Sequence, residues 1–256
     1  MRLPCIRVIL GHDSVATHDS RTLNAQDQLN SLHARIKRAC ERAERDLCSV
    51  ALVGAAKTVG AERVREFLRE GLTEVGENYV QEGVAKIAAL ESEAKSARWH
   101  LIGGLQSNKA GQAASAFAMI HSVDRASLAG AIDRAAQSLS KVQDVLLQVN
   151  LGGEAGKAGC APHELENLAR FCATLPNVRV CGLMCLPPYD ADAERSRPYF
   201  RQLRTLRDEL LENELLKPEM AEISMGMSNN FEIAIEEGAT LIRIGTALFG
   251  TRQNNK

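Results

Sequence analysis

The chain has 256 residues, 45% of them hydrophobic, and 31 Lys and Arg offset by 32 Asp and Glu for a formal net charge of −1. That length and apolar share support a full core in one large domain or two small ones, and the near-neutral balance points to neither a nucleic-acid nor a membrane surface. No apolar stretch is long enough to span a bilayer, and the histidines show no H-x-x-x-H or H-E-x-x-H spacing, so no dedicated metal site is expected.

In chain order, residues 1–22 come first, with a short apolar run in Met1–Leu10 and no clear small-residue cleavage site after it; they are expected to be a disordered extension. An amphipathic helix is expected at about 24–47. Strand-like runs follow at about 49–56, 73–76, 98–103, 117–122, 144–150, 178–184, 221–225 and 240–245, most of them trailed by a helical pattern. In the helix at 61–70, Val64, Phe67 and Leu68 share one face and Gly71 ends it. The helix at 125–140 places Leu128, Ala131, Ile132, Ala135 and Leu139 together. Pro162 opens a helix that buries Leu165, Leu168, Ala169 and Cys172. Asn229 with Glu232 reads as a capping-box-like start, and Gly238 as the stop. The cysteines are odd in number and form no C-x-x-C pair, which implies a reducing, cytoplasmic setting.

Eight β/α alternations in about 250 residues is the count for a closed (β/α)8 barrel, with an open doubly wound sheet as the alternative. No Pro/Gly/Ser-rich linker divides the chain, so residues 23–256 are expected to form one domain.

In such a barrel chemistry gathers at the C-terminal strand ends. Lys57 closes the apolar run Val50–Ala56. Lysines are rarely buried unpaired, so it is either a surface lysine just past a strand or an amine in a pocket, where desolvation would free its lone pair for Schiff-base chemistry. Further along come Glu77 and Asn78, His100, then His121, Ser122 and Asp124, and after the last two strands Ser224–Ser228 and Gly245–Thr246. The last two are short glycine-bearing turns, whose N–H groups and hydroxyls suit an anion site in this fold. Arg243 lies inside the apolar run Leu241–Gly245 and needs a partner. That partner is either a carboxylate, with Glu77 the obvious candidate, or a ligand atom. The glycine-rich stretch Leu151–Ala158 fails the phosphate-loop pattern, which requires Gly at 151 and Ser or Thr at 158, so Lys157 is expected to be solvated.

A lysine, an anion cup and an arginine match the aldehyde, phosphate and ring nitrogen of pyridoxal 5′-phosphate (PLP). The segments Ala56–Thr58, Gly76–Glu82, Trp99–Gly103, Leu105–Lys109, Ser122–Asp124 and Ser224–Ser228, with the run to Gly250, closely resemble the YggS/PROSC family of pyridoxal phosphate homeostasis proteins over about residues 25–250. The resemblance implies an alanine-racemase-like (β/α)8 TIM barrel with an extra N-terminal helix and without the racemases' second β domain. It implies Lys57 as the Schiff-base lysine, Asn78 beside the cofactor, Ser224, Gly226, Gly245 and Thr246 around the phosphate, and Arg243 at the pyridine nitrogen. Ser228 either joins the phosphate cup or caps the next helix, and capping is expected. Gly104, where the family often has proline, and the loop Gly153–Gly156 depart from the family pattern.

An arginine at the ring nitrogen disfavours its protonation and weakens the ring as an electron sink. Racemization also needs acid/base groups on both faces, and none of Tyr79, Tyr189 and Tyr199 is an evident second one. The expected function is therefore intracellular PLP homeostasis: binding, buffering and delivery of the cofactor, without turnover, as a monomer or weak dimer, with apo PLP-dependent enzymes as recipients. A PLP-dependent amino-acid racemase and a cofactor-free aldolase-type barrel are the alternatives.

Overall fold

The computed structural model describes residues 24–250 except Ala155; the extension expected at 1–22 lies outside the described residues. The first element is α1 (Ala25–Arg42), whose N-cap Asn24 accepts a 2.8 Å hydrogen bond from the Asp27 N–H. Strands and helices then alternate: β1 (Ala51–Ala55), α2 (Ala61–Arg69), β2 (Glu74–Glu77), α3 (Val80–Leu90), β3 (Arg98–Leu101), α4 (Ala110–Ala116), β4 (Met119–Val123) and α5 (Ala126–Ser138). The second half continues with β5 (Gln143–Val149), α6 (Leu165–Ala173), β6 (Val178–Cys185), α7 (Arg197–Glu212), β7 (Glu222–Ser224), α8 (Phe231–Glu236), β8 (Leu241–Ile244) and α9 (Thr246–Phe249). The strands are all parallel and close in the order β1 to β8, with β1 pairing β8. The closed barrel, not the open sheet, is the architecture.

Two buried spaces result, because successive side chains on a barrel strand point alternately out and in. The outer space, between sheet and helices, takes Phe67, Phe117, Phe200 and Phe231, all fully buried. The lumen takes Ala51, Val53, Ile102, Met119, Leu146, Cys181, Met184 and Leu241. α1 packs against α8 and α9. It is pinned there by Arg35–Glu232 and Arg42–Glu236 ion pairs of 2.6 and 2.9 Å, and by Arg45, which donates to the carbonyls of Ile235 and Ala239.

The helix faces follow the sequence reading with local exceptions. α5 ends at Ser138, so Leu139 caps the helix and is exposed, while Ala129 and Ala136 take the buried positions instead. Pro162 opens a 3₁₀ turn (Pro162–Glu164) ahead of α6. The N-cap of α8 is Asn230, not Asn229, and Glu232 faces Arg35 instead of closing a capping box. Among the described residues, no helix is long and apolar enough to cross a membrane.

Candidate functional site

A cavity of about 1000 Å³ opens at the C-terminal ends of the strands. Lys57 stands on its wall, in a turn tied at several points. The Ala56 N–H donates to the Gly76 carbonyl at 2.8 Å, which anchors the end of β1 to β2. The Ala56 carbonyl accepts from the Val59 N–H at 2.9 Å and from Lys86 Nζ at 2.8 Å. Thr58 holds a left-handed φ of 64°, so the chain reverses directly after Lys57. Lys57 is half-buried, on the wall of an open cavity and not sealed in an apolar pocket.

Lys86 is itself buried and pairs with Glu77 Oε1. Glu77, the carboxylate that the sequence offers to Arg243, therefore serves the Lys57 turn. Its other oxygen, Oε2, is buried with no hydrogen-bond partner among the described residues, and desolvation raises its pKa against the pull of Lys86. Asn78 follows Glu77 on the cavity wall. A Cβ on Gly103 would lie 2.3 Å from the Asn78 carbonyl oxygen, so only glycine lets the loop after β3 pack on the Asn78 backbone.

Arg243 reaches the cavity from β8 while only 4% exposed. Its Nη1 donates to Ser224 Oγ at 2.6 Å and its Nη2 to the Cys185 carbonyl at 2.9 Å. Among the described residues no carboxylate lies within ion-pair distance of it, so this is a buried cation with donors left over at a cavity wall. Burial lowers its pKa to about 10, which leaves it charged at neutral pH.

The turns after β7 and β8 are bonded to each other: Ser228 Oγ accepts from the Ala247 N–H at 3.2 Å. Ser228 thus caps the short helix after β8 and not α8, and it lines the cavity with Gly245 and Thr246. One donor expected of this cup is already engaged, since the Met227 N–H bonds to Asn230 Oδ1 at 2.8 Å.

Of the residues expected at the site, Lys57, Asn78, Arg243, Gly245 and Thr246 line the one cavity. Ser224 and Gly226 do not. Ser224 is fully buried beneath the floor, bonded to Arg243 and facing His121. Gly226, at φ 90°, is turned toward α8, where a Cβ would come within 2.6 Å of Ala234 Cβ. His100 and His121 also lie in the lumen and not on the rim. Asp124 Oδ2 accepts from the Gly159 N–H and so serves the loop after β5. Lys157 pairs with Glu154 on the surface, away from the cavity lining.

Sequence reasoning missed other parts of the wall. Asn24 and Gln28 come from the start of α1, Arg63 from α2, and Leu186 and Tyr189 from the loop after β6. Tyr189, not evident from the sequence as an acid/base group, stands on the wall, 81% exposed.

The chain matches the family described as "Alanine racemase, N-terminal domain" over residues 28–253. It is 48% identical over 231 residues to the pyridoxal phosphate homeostasis protein of Aquifex aeolicus, covering 90% of this chain and 100% of that one. The chain belongs to the pyridoxal phosphate homeostasis protein family. The family member from Pseudomonas aeruginosa is 42% identical over 88% of this chain and 95% of its own. Among solved structures, PipY of Synechococcus elongatus with PLP bound superposes with a TM-score of 0.74 at 38% identity, covering 88% of this chain and all of that one.

Proposed function

We infer that this protein binds PLP in cofactor homeostasis, holding it on Lys57 and buffering or delivering it. The observation that carries the reading is Arg243: a buried guanidinium with no carboxylate within ion-pair distance among the described residues, on the same cavity wall as a lysine and two hydroxyl-bearing turns. The residues fit the cofactor. Lys57 offers an amine, Gly245, Thr246 and Ser228 offer small and hydroxyl groups for a phosphate, and Arg243 offers N–H donors and no acceptor for a ring nitrogen. Bound PLP would supply an aldehyde able to condense with amines. The homeostasis proteins named above and the PLP-bound PipY structure support the same reading.

Arg243 also argues against transamination and decarboxylation, while leaving racemization possible. A guanidinium cannot accept a proton, so it keeps the ring nitrogen unprotonated and the ring a poor electron sink. The open rim gives recipient apo-enzymes access, and a monomer or weak dimer in the cytoplasm completes the proposal. One observation favours a second reading, an amino-acid racemase: Tyr189 lines the cavity and is a candidate acid/base group besides Lys57.

Titration of the purified chain with PLP is expected to produce a visible Schiff-base band that Lys57→Ala lacks. Incubation with an amino-acid panel in deuterated water is expected to leave the Cα protons unexchanged. Catalytic exchange that stops in both Lys57→Ala and Tyr189→Phe would replace the carrier with the racemase, and no band at all would reject PLP binding.

A further inference from the structure

Arg243 is linked to a carboxylate that is not beside it: Glu74, whose Oε1 also lies 3.7 Å from Arg98 Nη1. Val53 of β1 is in register with Arg243 on one side and with Glu74 of β2 on the other, so the two charges flank one apolar residue. They are joined the other way, across the lumen. Arg243 Nη1 donates to Ser224 Oγ at 2.6 Å, and Ser224 Oγ lies 3.0 Å from His121 Nδ1. His121 Nε2 lies 2.9 Å from His100 Nδ1, and His100 Nε2 meets Glu74 Oε2. His100, His121 and Ser224 are fully buried, and Glu74 and Arg243 nearly so. The four groups beyond Arg243 are strung end to end rather than converging, and among the described residues no three His, Cys, Asp or Glu side chains gather as metal ligands.

Donor inventory gives the chain a single direction. Arginine only donates, so Ser224 Oγ must accept from it. The Ser224 hydroxyl proton then has one acceptor among its contacts, His121 Nδ1. A neutral His121 with Nδ1 accepting carries its proton on Nε2 and donates to His100 Nδ1. His100 in turn carries its proton on Nε2 and donates to the Glu74 carboxylate. Every group is satisfied, and every donor points from the cation toward the anion. The reverse order fails at Ser224, whose proton would have no acceptor.

We propose that Ser224, His121, His100 and Glu74 are positioning residues that fix the Arg243 guanidinium for the cofactor ring while no carboxylate touches it. The ring role rests on the PLP reading above; the chain itself does not. A carboxylate in direct contact would cancel the positive field at the ring nitrogen, whereas a relay of neutral groups fixes the guanidinium's orientation and leaves that field in place. None of the four lines the cavity.

Two measurements test this. In the ligand-free full chain at neutral pH, ¹⁵N NMR of the imidazoles should find His100 and His121 both neutral with the proton on Nε2. A proton on Nδ1 of either ring, or a doubly protonated ring, would overturn the chain whether or not PLP binds. In PLP titrations, Ser224→Ala should weaken binding about tenfold, as expected for one lost charge-assisted hydrogen bond, and shift the visible band. Ser224→Thr, which keeps the hydroxyl, should restore both. His100→Phe, remote from the cavity, should shift the band in the same sense. Wild-type affinity and an unmoved band in both Ser224→Ala and His100→Phe would refute the positioning role while leaving PLP binding intact. A wild-type chain that binds no PLP would sink the ring role together with the reading it rests on, and the tautomers would still decide the chain.

Discussion

The two faces of the barrel sheet are both buried, but they are filled on different terms. Outside, Phe67, Phe117, Phe200 and Phe231 fill the space under the helices, and apolar shape and volume are what matter there. Inside, apolar residues share the lumen with Glu74, His100, His121, Ser224 and Arg243. There each group depends on the next for its hydrogen bond, so connectivity matters more than volume. Two buried cations repeat the contrast. Lys86 has its carboxylate in contact and holds the turn that carries Lys57, whereas Arg243 reaches a carboxylate only at the far end of a chain and keeps donors for the cavity.

The largest effects should come from breaking either kind of packing outright. Phe67→Ala empties an outer-face site packed edge-on against Phe249, at 4.8 Å between ring centroids. It should cost about 3–5 kcal/mol in a denaturant titration. Lys86→Met should cost about as much, roughly 3–5 kcal/mol at neutral pH, because it strands the buried Glu77 carboxylate. If the cost is that stranded charge, adding Glu77→Leu should recover most of it. The sign of the pH dependence follows from Glu77's raised pKa: the folded state binds its proton more tightly, so the single variant should regain stability as pH falls.

A smaller effect reports on the lumen alone. Burial, with Arg243 adding to it, holds the pKa of His121 well below 6.5, so the unfolded chain takes up a proton there that the folded chain refuses. Stability from this group is present above pH 6.5 and is lost as pH falls toward its folded pKa, with a slope of up to about 1.4 kcal/mol per pH unit. His33, also lowered by burial, contributes in the same direction. Thermal unfolding of His121→Phe between neutral and mildly acidic pH should show a shallower slope than wild type, and an unchanged slope would contradict the account of this group. The smallest effect belongs to the surface: Lys157→Ala, which removes only the exposed pair with Glu154, should change stability by less than about 0.5 kcal/mol and leave PLP binding untouched.

The outer face was the legible one. Val64, Phe67 and Leu68, and likewise Leu165, Leu168, Ala169 and Cys172, stand at helical spacing and are buried together as that spacing requires. Strand ends were legible too, and they brought Lys57, Asn78, Arg243, Gly245 and Thr246 to one cavity. The lumen was not. Strands buried on both sides show no alternation that marks which residues point inward, so His100, His121 and Ser224 read as rim residues. For Arg243 the sequence offered either a carboxylate, with Glu77 the candidate, or a ligand atom; Lys86 takes Glu77, and Arg243 bonds Ser224, whose further contact to His121 crosses the lumen from β7 to β4, where no register pairing reaches. Asn230 displaced Asn229 as the cap of α8 by one position, and helix termini are rarely sharper than that in a sequence. The share of α1 in the cavity depends on closure of the barrel, which sets its packing on α9 beside β8.

Borohydride reduction of the PLP-loaded chain, followed by digestion and mass mapping, tests the central claim most directly. The account predicts a single phosphopyridoxyl label, on Lys57. A label on another lysine such as Lys86 or Lys157, or no label at all, would contradict it.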